Sequence, residues 1–118
     1  MRDMVQLLVQ MVVPPGHVRD VLQALRAVMR PAQRAQGCRL ARTYRWADDD
    51  RRIDYVEEWD DARELRGQFG SERFVRLLEV LEMAAERPVV EFRVIGETHG
   101  LEYVTTQEDT AEGVGHDE

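Results

Sequence analysis

The sequence predicts an α+β fold in which a four-stranded antiparallel sheet carries two helices on one face. Three observations lead there: four segments alternate apolar and polar residues, two longer runs repeat apolar residues at helical spacing, and the order strand, helix, strand occurs twice in 118 residues. That order is the ferredoxin-like βαββαβ plan. The length suits one domain, assigned to residues 1–104.

The first strand runs from Val5 to Val13, where the odd positions Val5, Leu7, Val9, Met11 and Val13 are all apolar and the even ones are mixed. "PPG" at 14–16 stops it. From His17 the residues Val18, Val21, Leu22, Leu25, Val28 and Met29 recur at helical spacing; Pro31 is expected to kink the last turns before Gly37 ends the helix. "CRLARTYRW" at 38–46 alternates again, "ADDD" at 47–50 supplies turn chemistry, and "RRIDYVEEW" at 51–59 completes a hairpin. Asp60 or Asp61 can cap the helix that follows. Its spacing runs through Ala62, Leu65 and Phe69, pauses at Gly70, resumes through Phe74, Leu77, Leu78, Leu81 and Ala85, and closes at Pro88; Ser71 reads as a turn or helix-start residue. "VVEFRVIG" at 89–96 is the fourth strand, and "GLEYV" at 100–104 is expected as a short fifth one, reaching toward a partner chain. From Thr105 onward the acidic residues and scarcity of apolar ones predict a disordered tail, 105–118.

Two helices on one face leave the other uncovered, so residues such as Leu40, Tyr44, Val56 or Phe92 would meet water in a lone subunit. A sheet-to-sheet homodimer is the expected remedy. The net charge is −7, and Glu108, Asp109, Glu112, Asp117 and Glu118 carry five of those charges, which leaves −2 for residues 1–107. No basic stripe offers itself to phosphate, so nucleic acid is not an expected partner. No apolar run approaches the length of a membrane span and the N-terminus lacks the apolar block of a signal peptide, so the expectation is a cytoplasmic protein without membrane contact.

The chain contains no lysine and no asparagine, which excludes Schiff-base catalysis and a phosphate-loop lysine. Cys38, alone of its kind, has no disulfide partner and reads as a structural thiol. His17, His99 and His116 fall at a helix start, a loop and the tail, a spacing that converges on no metal. The stretch that holds chemical interest is "YVEEWDDARELRGQF", 55–69. Ile53, Tyr55, Glu57 and Trp59 share one strand face, whereas Asp54, Val56 and Glu58 share the other. A carboxylate beside two aromatic rings, Glu57 is either a partly desolvated base for a phenol or the partner of an arginine on a neighbouring strand, such as Arg42 or Arg93, with Trp59 as core.

In these residues the chain resembles the antibiotic biosynthesis monooxygenase family, small dimeric α/β-barrel proteins with the ferredoxin-like plan. The resemblance spans residues 5–104 and rests on "VPPGH" at 13–17, "QGCRLARTYRW" at 36–46 and "YVEEWDDARELRGQFGSERF" at 55–74. Gln68 stands where many members carry histidine. The asparagine, tryptophan and histidine of the heme-degrading branch are all missing, and Tyr55 and Leu65 replace an asparagine and a tyrosine of quinone-forming members. The resemblance implies oxidation of a phenol or hydroquinone by O₂ to a quinone, with no flavin, heme, metal or other cofactor. It casts Glu57 as base, Trp59 and Tyr55 as stacking walls, Gln68 as hydrogen-bond donor and Arg42 as anion partner, with Tyr44 and Leu65 completing the substrate-binding set. A dimer that binds a small aromatic ligand without catalysis, or an isomerase or cyclase on the same scaffold, are the alternatives.

Overall fold

A computed structural model describes residues 3–105. The acidic tail expected from 105 onward lies, Thr105 apart, outside the described residues. The elements are β1 (Met4–Val12), α1 (Val18–Gln33), β2 (Cys38–Trp46), β3 (Asp49–Trp59), α2 (Ala62–Arg66), α3 (Glu72–Leu81) and β4 (Val89–Ile95). They form one sheet in the order β2-β3-β1-β4 with every neighbour antiparallel. This is the βαββαβ plan, its second helix broken in two.

Strand register assigns each face. Val5, Leu7, Val9 and Met11 of β1 stand opposite Trp59, Glu57, Tyr55 and Ile53 of β3. All eight are buried, because α1 and α3 lie over this side and pack against each other. From α1 come Val21, Leu25, Val28 and Ala32, and from α3 Phe74, Leu77 and Val80. Pro31 sits inside the last turn of α1, and the chain then turns at Gly37, whose φ of +88° a side chain would strain. The turn between β2 and β3 is tighter than "ADDD" suggested, since Asp49 and Asp50 already belong to β3.

Both helix starts after β3 are capped as their residue types demand. Asp61 accepts the amide of Glu64 and Ser71 accepts the amide of Phe74. Asp60, the other cap candidate, instead binds Arg39 at the surface. The pause at Gly70 becomes a real break, with residues 67–71 non-helical between α2 and α3.

Two expectations are corrected. The segment "GLEYV" is not a strand: its residues close a helical turn through the amides of Tyr103 and Val104, with His99 packed on the Tyr103 ring. Phe92 is exposed, but on the helix-bearing face, since it pairs with Leu7. The helices lean over β1 to β3 and leave β4 bare, so Val90, Phe92 and Val94 stay open on the side that was expected to be covered. On the opposite face Tyr44 is exposed, Leu40 half-buried and Val56 buried.

Candidate functional site

At the centre of the helix-bearing face lies a closed polar cluster. Glu57, Tyr55 and Trp59 are each 0% exposed. One carboxylate oxygen of Glu57 accepts the Tyr55 hydroxyl and Arg73 Nη1 (2.7 Å), and the other accepts Trp59 Nε1 (2.9 Å) and Arg73 Nη2 (3.2 Å). Four donors on two oxygens fill the acceptor capacity of a carboxylate. Arg73, 7% exposed, extends the network by donating Nε to Gln68 Oε1 (3.0 Å) and Nη1 to the Val28 carbonyl (3.5 Å). Its guanidinium also lies 5.8 Å from the rings of both Trp59 and Phe74.

The electrostatics follow from burial. Lack of water, and next the Glu57 charge, hold the Tyr55 phenol far above its ordinary range, so it stays a donor. Burial works against the charge on Arg73, but the hydrogen bonds and charge of Glu57 outweigh it and the guanidinium is held more firmly protonated. Burial, then Glu57, also raises the Cys38 thiol.

Of the two arrangements open to Glu57, the structure holds the ion pair, but its arginine comes from α3. Arg42 and Arg93 pair with Val56 and Gln6, on the opposite face, out of reach of Glu57. Tyr55 and Trp59 are core residues here and line no opening. Gln68 binds Arg73, Tyr44 lies exposed on the far face, and Arg42 borders a groove beside α1. Arg73 was missed in the sequence. The signal for it was position, because it shares the stripe of Leu77 and Val80 on α3, where an unpaired arginine would be costly.

A cleft of about 390 Å³ lies between α2, residues 67–71 and the bare strand β4. Val5, Leu65 and Phe74 form its inner wall, Phe69, Phe92 and Val94 its outer one, and Arg66 is the one charged side chain among its lining residues. Phe69 packs against both Phe74 and Phe92, with ring centroids 5.0 and 5.9 Å apart. Of the residues picked from the sequence, only Leu65 lines it. Gln68 acts one step behind, since its bond to Arg73 fixes the segment that carries Phe69. Among the described residues no three His, Cys, Asp or Glu side chains converge as a metal site, and no helix is long and apolar enough to cross a membrane.

Comparison with known proteins places residues 4–80 in the match to the family model described as antibiotic biosynthesis monooxygenase. No curated protein matches the chain. Among solved structures, a conserved Methanosarcina mazei protein is similar at 16% identity and a TM-score of 0.72, over 80% of this chain and 94% of that one. A Pseudomonas aeruginosa protein is similar at 21% identity and a TM-score of 0.70, over 82% and 98%. A Nitrosomonas europaea protein, whose name assigns it to the antibiotic biosynthesis monooxygenases, is similar at 15% identity and a TM-score of 0.73, over 85% and 97%. At these identities the structural likeness speaks for the fold.

Proposed function

The chain belongs to the antibiotic biosynthesis monooxygenase family, and from that premise we propose that it oxidises a small phenol or hydroquinone with O₂ to a quinone, the substrate lying in the cleft between α2 and β4. The observation that carries this reading is the make-up of the cleft, apolar and aromatic walls with a single cation at the rim. A volume of about 390 Å³ lies within the roughly 300–1,000 Å³ of small-molecule sites. A flat aromatic ring would lie against the wall that Phe69, Phe74 and Phe92 form together, with its phenolic oxygen toward Arg66.

The chemistry then needs little from the protein. A guanidinium beside a phenol lowers its pKa and favours the electron-rich phenolate. The phenolate gives one electron to O₂, the resulting radical pair joins carbon to oxygen as a peroxide, and loss of water leaves the quinone. One oxygen atom stays in the product and the other leaves as water with two substrate hydrogens. The walls supply a dry, oriented site. Glu57, Tyr55, Trp59 and Arg73 hold the floor under the cleft, and Gln68 holds Phe69 in place. Leu65 is wall; Arg42 and Tyr44 take no part.

The sealing of Glu57 favours a second reading, a protein that binds the aromatic molecule without oxidising it. A second copy covering the open sheet face, where Tyr44 and Trp46 are exposed, belongs to both readings. Oxygen uptake with a panel of naphthols and anthrols, with and without chelator, separates them. Uptake insensitive to chelator and stoichiometric with quinone supports the monooxygenase; saturable binding without uptake supports the binder. Product without uptake would replace both by an isomerase or cyclase.

A further inference from the structure

A second hollow lies at the other edge of the sheet, along the seam between α1 and β2. On α1 the residues Arg19, Leu22, Arg26, Met29 and Gln33 follow one another at spacings of three and four, with Gln23 four positions after Arg19, so they form one stripe. Facing them on β2 are Ala41, Thr43 and Arg45, which pair with Glu57, Tyr55 and Ile53 and so share the helix-bearing side. Two adjoining hollows of about 450 and 460 Å³ open there, sharing Leu22, Arg26 and Arg45. Gln33 closes one end by donating to the Ala41 carbonyl at 2.9 Å.

The chemistry of this trough is one-sided. Arg19, Arg26 and Arg45 border it on this side of the sheet, Arg42 adjoins it from a position on the opposite face, and no carboxylate is among its lining residues. Among the described residues none of the four forms a salt bridge. Residues 1–107 carry a net −2, so cations are matched by carboxylates over most of this surface, and cations left together without one mark a place where an anion is at home. Guanidinium groups favour phosphate and carboxylate because their planar forks bond both oxygens. Leu22, Met29 and Ala41 add an apolar floor between them.

We propose that this trough is a binding site for a small organic phosphate, its apolar body on Leu22, Met29 and Ala41 and its dianionic group held by Arg26 and Arg45, with Arg19 alongside. The site is separate from the cleft under Phe69, at the opposite edge of the strand order, and stands whether or not the chain is a monooxygenase.

Calorimetric titration of the whole chain with 1-naphthyl phosphate tests it, with 1-naphthol and inorganic phosphate as half-probes. Saturable binding of 1-naphthyl phosphate is expected, at least about tenfold tighter than either half-probe and weakened by salt. The double variant Arg26→Gln/Arg45→Gln weakens it a further tenfold or more, roughly one charged hydrogen bond's worth, with an unchanged melting curve because both side chains are exposed. Arg66→Gln leaves it intact. Equal binding by the double variant and the parent, or loss of binding in Arg66→Gln, would overturn the assignment, as would no saturation by 1-naphthyl phosphate at millimolar concentration.

Discussion

Glu57 on β3 and Arg73 on α3 meet in a doubly hydrogen-bonded pair, at 2.7 and 3.2 Å, that water does not reach. Two charges so enclosed are worth little compared with an apolar pair of the same size, yet breaking one of them leaves the other stranded. Arg73→Met is therefore expected to cost about 3–5 kcal/mol in chemical denaturation. The double variant Glu57→Gln/Arg73→Met should lose less than the sum of the singles, by more than about 1 kcal/mol. Strict additivity would show that the pair does not act as a unit.

The Tyr55 phenol gives a prediction in alkali. Its proton is held more tightly in the fold than in the open chain, where the phenol ionises near pH 10. The stability tied to that proton is fully present below about pH 10 and drains away as pH rises above it. Tyr55→Phe should lower stability at neutral pH, through the lost bond to Glu57, but flatten the alkaline fall. In ultraviolet difference spectra the ionisation of Tyr55 should appear only together with unfolding.

For the cleft, Phe92→Asp puts a charge among its apolar walls at a residue that is 50% exposed, so the fold is spared. We expect kcat/KM for naphthol oxidation to fall by about tenfold or more, the loss of at least one apolar contact face. Arg66→Gln should instead move the acid limb of the pH profile upward by about one unit, since the phenol loses its neighbouring cation. An unmoved profile would remove Arg66 from the mechanism.

Gly37 combines φ of +88° with a neighbour, because a Cβ there would stand 2.6 Å from Glu64 Cγ. Gly37→Ala should cost about 1–2 kcal/mol from the backbone alone, more with the contact. Glu64→Ala in the same chain should return only part of the contact's share, as read by thermal melting, because its own Cβ would still stand 2.9 Å away.

How far the sequence carried this picture depends on the kind of information involved. The strand faces of β1 and β3, the pause at Gly70 and the cap at Ser71 were legible because each is local, a period or a turn chemistry within ten residues. The partner of Glu57 was not, since it lies sixteen positions away on a helix and only the packing angle of α3 brings it over β3. Arg42 and Arg93 looked available until register put them on the other face. "GLEYV" had strand composition, yet it joins neither open edge of the sheet and closes a local turn instead. The cleft itself was invisible beyond Leu65, because its walls come from β1, α2, α3 and β4 and exist only when the helices stop short of the last strand.

The alternation of β3 also acts as an alignment key. In the observed register Asp54 and Glu58 face outward, where Gln10 and Gln6 bind them, and Glu57 faces Arg73. A slip by one position would turn Asp54 and Glu58 in beneath the helices with one arginine between them, and would send Glu57 out. Misaligned sheets are thus penalised by buried like charges as well as by lost apolar contact, so a pair that adds little to the depth of the native well does much to empty the wells beside it.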